Sequence, residues 1–170
     1  MAAALMAERA GAKISQIARA AATFAPVEHR LELVRELGGV AYYNDSKATS
    51  VDATLKAIDA FSGGLWIILG GKDKNSDYTV LREPLRAKAR AALLIGAAAA
   101  KIAGHLGNDS AHLIQCGTLA EAVQEARRLA QPGDTVLLAP ACASFDQFES
   151  FEHRGRVFKQ LVNALEERSR

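Results

Sequence analysis

The chain holds only two cysteines, Cys116 and Cys142, in 170 residues, with no Cys-x-x-Cys and no histidine pair at metal-ligand spacing. A disulfide framework and a structural zinc site are both unexpected on that count, and no metal ligand is assigned. Charge of one sign is also missing: 21 Lys+Arg stand against 19 Asp+Glu, a formal +2 with no block of like charge. Nothing general then draws the chain to nucleic acid or to an anionic membrane, and neither is expected as a partner. The longest apolar stretches, residues 91–100 and 135–142, are well short of the ~20 residues that cross a bilayer. Charged Glu8 and Arg9 follow the start too soon for a signal peptide, so the cytoplasm is the expected compartment. Both glycine signatures of nucleotide binding, Gly-x-x-x-x-Gly-Lys-Ser/Thr and Gly-x-Gly-x-x-Gly, are absent as well. A dinucleotide-dependent dehydrogenase has no fingerprint here.

What the chain has is apolar content, at 49% of residues, which excludes disorder and suits one globular domain with a real core. Its 34 alanines favour helix and gather in the first segment and around residues 91–103. Residues 1–22 read as two short helices broken at Gly11, with Ile14, Ile17, Ala18 and Ala21 on one face, a tail that should pack on something. Beyond Pro26 five short apolar runs stand out at 40–43, 65–69, 92–95, 112–115 and 135–139. Each is too short for a helix and ends in turn-forming residues, as strands buried on both faces do. Helical segments at 50–61, 79–90, 97–106, 118–130 and 156–168 separate or follow them. Thr118 with Glu121 forms a capping box, and Gln131-Pro132-Gly133-Asp134 is a turn. The alternation predicts an α/β fold: a Rossmann-like three-layer sandwich around a mostly parallel sheet of five to six strands. In such sheets ligands bind at the carboxyl ends of the strands.

Three of the loops at those ends are chemically dense. Asn44-Asp45-Ser46-Lys47-Ala48-Thr49-Ser50 offers a cation, a carboxylate and hydroxyls at a helix start, which suits either helix capping or an anion or sugar site. Gly70-Gly71-Lys72-Asp73-Lys74-Asn75-Ser76-Asp77 places two lysines behind two glycines, either a tight turn or a close approach to a ligand. Pro140-Ala141-Cys142-Ala143-Ser144-Phe145-Asp146-Gln147-Phe148 brings Ser144 to the sheet edge; Cys142, among alanines and without a base nearby, reads as buried and inert. Phe145, Phe148 and Phe151 read mainly as packing, with a place for one of them at the border of a small ligand, and His105 and His112 read as facing solvent or a turn.

These loops, with Phe151-Glu152-His153-Arg154-Gly155 and His29-Arg30-Leu31-Glu32, resemble in order the C-terminal domain of the D-glutamate-adding members of the Mur ligase family, enzymes of bacterial peptidoglycan synthesis. Sister ligases for other amino acids carry an Asp-Tyr-Ala-His type of loop in place of residues 44–49. Ala139 and Ser50 depart from the family's usual Ser and Asn. The resemblance implies that residues 1–23 end a central ATP-binding domain and that residues 24–170 form the amino-acid-binding domain. It implies an ATP-dependent amide ligase acting through an acyl phosphate, with ATP and Mg2+ bound mostly outside this chain. Arg30 would approach the ATP phosphates and Asp45 the ribose. Lys74 and Thr49 would hold one carboxylate of D-glutamate, and Ser144 with the Phe145 amide the other. Lys47, as the catalytic cation, and Phe151 would line the same pocket. The implied partners are D-glutamate, ATP, UDP-N-acetylmuramoyl-L-alanine and the N-terminal and central domains, in a monomer. Without the family's nucleotide loop the 170-residue chain alone is expected to be inactive, and a stand-alone small-molecule binding module is the alternative.

Overall fold

The computed structural model describes residues 2–23, 27–107 and 109–166. The five apolar runs are strands β2 (Val40–Asn44), β3 (Leu65–Gly70), β4 (Ala89–Ile95), β5 (His112–Gly117) and β6 (Thr135–Leu138). They pair in parallel, and β1 (Glu32–Leu37) adds an antiparallel edge to β2. The order across the sheet is β1-β2-β6-β3-β4-β5.

Alternation along each central strand feeds two cores. Leu65, Ile67 and Leu69 of β3 join Leu94 and Leu137 on one face, under helices α3 (Val51–Asp59), α4 (Arg82–Lys88) and α5 (Ala99–Leu106). Trp66 and Ile68 join Leu93, Val136 and Leu138 on the other, under α6 (Leu119–Leu129) and α7 (Phe151–Asn163). All six residues of β3 are buried, which is why this strand reads as a continuous apolar run rather than an alternating one. Each such leucine or isoleucine contributes about 1.5–3 kcal/mol relative to leaving it exposed. Helix starts follow the local signals. Ser50 Oγ accepts the Ala53 N–H, and Thr118 and Glu121 exchange side-chain and backbone hydrogen bonds in a capping box.

The structure corrects the sequence reading in three places. Strand β1 was unexpected because Glu32, Arg35 and Glu36 break any apolar run, as suits an exposed edge. It is joined to β2 through Gly38-Gly39, both at positive φ (+59° and +76°), a two-residue hairpin turn open to glycine. The helix expected over 79–90 begins as a 3-10 turn, and its last two residues belong to β4. Helix α7 starts at Phe151, capped by Ser150, not at Arg156. Gly155 lies inside α7, where a side chain would strike the His29 ring.

Helices α1 (Ala2–Arg9) and α2 (Ile14–Thr23) form a hairpin turning at Gly11, and no described residue of either is buried. A shallow apolar cleft between them is lined by Ala7, Ala12, Ile17 and Ala21. The linking Phe24, Ala25 and Pro26 lie outside the described residues. Among the described residues, no helix is long and apolar enough to cross a membrane.

Candidate functional site

Because β6 inserts between β2 and β3, the three chemically dense loops, far apart in sequence, leave the sheet side by side. Backbone hydrogen bonds join them. The Asp45 N–H donates to Leu138 O (2.8 Å), Gly70 N–H to Pro140 O (2.9 Å) and Ala141 N–H to Ala48 O (3.0 Å). Lys72 and Ala143 bond in both directions, N–H to O, at 2.8 and 3.2 Å. The carboxyl edge is thus one continuous platform, in the position where open α/β sheets bind ligands.

On one side of the platform Arg30, Asp45, Lys47 and Ser50 line a cleft of about 400 Å³. Asp45 is buried, its Oδ1 accepting the Leu31 N–H at 3.3 Å. Burial raises its carboxyl above the ordinary aspartate range, opposed by the Leu31 N–H and by Arg30. An acid whose pKa is raised by folding opposes folding while ionised and is relieved as pH falls. Asp45→Asn, which keeps the acceptor, should therefore melt at a higher temperature than the parent at pH 7, and the gap should close on acidification. A thermal melt at two pH values checks this, and a lower melting temperature at pH 7 refutes it. The cleft offers an exposed guanidinium beside a carboxylate, a donor and acceptor pair that fits an anion and a diol. Among its lining residues there is no glycine-rich phosphate cradle.

Lys47 lies at this cleft and reaches toward α7. Its backbone N–H is held by His29 O at 3.1 Å, and its ammonium lies 4.3 Å from the centroid of the Phe151 ring. Thr49 is half-buried two residues on. Across the platform Lys74 is exposed and, among the described residues, no carboxylate pairs with it. Ser144 is buried at the start of a turn in which its carbonyl accepts the Phe148 N–H at 2.9 Å. Phe145 is 66% exposed, so it is the one of the three phenylalanines that does not pack and is free to border a ligand. Phe148 packs against the α6–α7 core and Phe151 against His29. Cys142 is buried, and burial pushes its thiol up, consistent with an inert cysteine. Arg30, Asp45 and Lys47 thus share one cleft, while Thr49, Lys74, Ser144, Phe145 and Phe151 do not line it.

Two groups were not given a role by sequence reasoning. Arg154 is 1% exposed and clamps two loops: Nε and Nη2 donate to Ser46 Oγ and Ser46 O, each at 2.9 Å. Its Nη1 and Nη2 donate to Cys142 O at 3.2 and 3.3 Å. Burial lowers its pKa to about 10, leaving it charged at neutral pH. The motif around Phe151 contains Arg154, but a charge on a helix ordinarily reads as solvated. His29 is buried at φ +62°, with its Nδ1 2.9 Å from Asn44 Nδ2. Glu28, His29 and Glu32 are the one group among the described residues whose ligand atoms could meet on a metal ion. Lys159 Nζ, 3.1 Å from Glu28 and 2.6 Å from Glu32, already neutralises those carboxylates, so the group does not fit a metal.

Residues 29–142 match the family described as "Mur ligase, glutamate ligase domain". The UDP-N-acetylmuramoylalanine--D-glutamate ligase of Solibacter usitatus (strain Ellin6076) is 66% identical over 166 residues, covering 98% of this chain and 37% of that protein. The chain thus spans little more than a third of the length of that relative. Two solved structures share the fold at low identity. UDP-N-acetylmuramate-alanine ligase MurC of Thermotoga maritima has a TM-score of 0.66 at 10% identity, over 94% of this chain and 36% of that one. MurF ligase from Thermotoga maritima in complex with ADP has a TM-score of 0.61 at 17% identity, over 94% and 36%. The chain belongs to the Mur ligase family, and the platform of loops described above stands on that family's glutamate ligase domain.

Proposed function

We propose that this chain is the D-glutamate-binding and closure domain of an ATP-dependent ligase that adds D-glutamate to UDP-N-acetylmuramoyl-L-alanine. On this reading residues 1–23 are the end of an adjoining ATP-binding domain, which leaves their apolar cleft for that neighbour. The observation that carries the proposal is the convergence of the loops of Lys47, Lys74 and Ser144 on one platform, because an amino acid with two carboxylates needs two cations or donors spaced to meet them. Lys74 and Thr49 take one carboxylate; the Ser144 hydroxyl and Phe145 N–H take the other. Arg30 meets the phosphates of ATP and Asp45 its ribose; residues of the other domains would hold Mg2+, which would supply charge neutralisation at the phosphates.

The γ-phosphoryl group of ATP passes to the alanine carboxylate, giving an acyl phosphate and ADP. The ammonium of D-glutamate loses a proton to water, the free amine attacks the acyl carbon, and the tetrahedral intermediate gives a second nitrogen proton to water as it expels phosphate to leave the amide. The chain's part is mostly positioning, which holds the amine where attack is productive. Lys47 adds a fixed positive charge beside the oxygens that gain charge in the intermediate.

An NMR titration of the 170-residue chain with D-glutamate tests the proposal. With one wall of the site present, the expected dissociation constant is near 1 mM, about 4 kcal/mol, with shifts confined to Thr49, Lys74, Ser144 and Phe145. Lys74→Ala should weaken binding about ten- to a hundredfold, the worth of a charge-assisted carboxylate contact. Lys72→Ala should weaken it much less. Micromolar binding would favour a stand-alone module instead, and an affinity indifferent to Lys74 would sink the assignment.

A further inference from the structure

Lys74 stands on an exposed loop, and a lysine side chain carries about 2 kcal/mol of rotamer entropy. A cation on such a stem discriminates a carboxylate well only if its own backbone is fixed. The loop has the means to fix it next door. Asp73 Oδ1 accepts the Tyr78 O–H at 2.7 Å and the Ser76 N–H at 3.1 Å, and Oδ2 accepts Lys101 Nζ at 2.6 Å. Those donors come from the far side of the loop, from its own turn and from α5. Tyr78 is fully buried, its hydroxyl 3.0 Å from Cys142 Sγ, and its N–H donates to His105 Nδ1 on α5 at 3.2 Å. On the other flank Lys72 is bonded to Ala143, one residue before Ser144. Lys74 is thus bracketed by two anchors, one tied to α5 and one to the loop of the opposing carboxylate donors.

We propose that Asp73 is a positioning residue for D-glutamate recognition, fixing the place of Lys74 through its bonds to Tyr78, Ser76 and Lys101. The inference rests on the reading that Lys74 holds a carboxylate of the amino acid. Asp73 reaches no ligand itself; all its acceptor atoms are committed inward. Lys101 foremost, with Tyr78 and Ser76, holds its carboxyl far below the usual aspartate range, so the strut stays charged in any physiological condition. The pairing also spends the Lys101 ammonium, leaving Lys72 and Lys74 as the cations of the loop turned to solvent. The Asp73 side chain is 26% exposed, so its removal opens no core cavity and acts on loop geometry.

The test is a double-mutant cycle on the 170-residue chain, read by NMR titration with D-glutamate. Asp73→Ala should weaken binding about five- to tenfold, with amide positions outside residues 72–78 unchanged. Asp73→Asn, which keeps an acceptor for Tyr78 and Ser76 but loses the charge toward Lys101, should recover part of that loss. On a Lys74→Ala background Asp73→Ala should add almost nothing, because it acts through Lys74. A purely structural role predicts the same factor on both backgrounds, and that result overturns the inference. A Lys74→Ala effect with no Asp73→Ala effect overturns it alone and leaves the functional reading standing. No response of the parent chain to D-glutamate, or none to Lys74→Ala, overturns both.

Discussion

Arg154→Ala lowers the unfolding free energy by about 3–5 kcal/mol, the largest stability loss expected from removing a single polar side chain in this domain. The guanidinium makes four hydrogen bonds, to Ser46 Oγ, Ser46 O and twice to Cys142 O, from a position that is 1% exposed. Truncation leaves two carbonyls without their donor in a space too enclosed for bulk water, and each orphaned acceptor costs about 1–3 kcal/mol. The loss is less than the sum of the bonds because burying the guanidinium itself was unfavourable, as its lowered pKa records. For a domain of this size the melting temperature should fall by roughly 10–15 °C. Arg154→Lys should recover less than half of it, since an ammonium cannot fork between two carbonyls. Thermal and urea unfolding measure both. A loss below about 1 kcal/mol for Arg154→Ala would mean that the two loops hold together without the clamp. The clamp also ties the Lys47 loop to the Ser144 loop, so partly folded Arg154→Ala should lose D-glutamate shifts at both.

Gly70→Ala should be at least as damaging. Gly70 ends β3 at φ +128°, and a Cβ there would be driven into the carbonyl oxygen of Ile95 on the neighbouring strand β4. The obstacle is backbone in the centre of a parallel sheet, so no side chain can rotate away to relieve it. Either β3 and β4 part at their carboxyl ends or the Gly71–Lys74 turn moves, and both dismantle the platform. The expected cost is about 3–5 kcal/mol from strain and overpacking together. Gly38→Ala is the comparison: its φ is +59°, but nothing lies within 4 Å of the added carbon. It should cost only the ~1–2 kcal/mol of left-handed backbone. Equal melting temperatures for the two variants would refute the close-approach argument.

The strands were legible because burial on both faces forces an unbroken apolar run, and Leu65 to Leu69 could be little else. The loops were legible for the opposite reason, since Asp45, Lys47, Lys72 and Lys74 crowd polar groups where a mere connector needs few. Strand β1 escaped because an edge strand obeys neither rule: it pairs with one neighbour only, and its charged Glu32 and Arg35 are half-buried by partners distant in sequence, Lys159 for Glu32 and the carbonyls at the end of α7 for Arg35. The early start of α7 escaped because Gly155 weakens helix locally and is kept there by a contact with His29, 126 positions away in the chain.

Sequence by itself determined the α/β class, the five parallel strands and the inventory of cations, carboxylates and hydroxyls at their carboxyl ends, because those follow from periodicity, burial and residue type within a short window. Only the tertiary structure decided that β6 lies between β2 and β3, that Lys72 zips to Ala143, that Asp73 is held by α5 and that Arg154 is buried. Strand order and burial of a charge are decided by partners distant in sequence, and no local pattern of residues carries the identity of a distant partner.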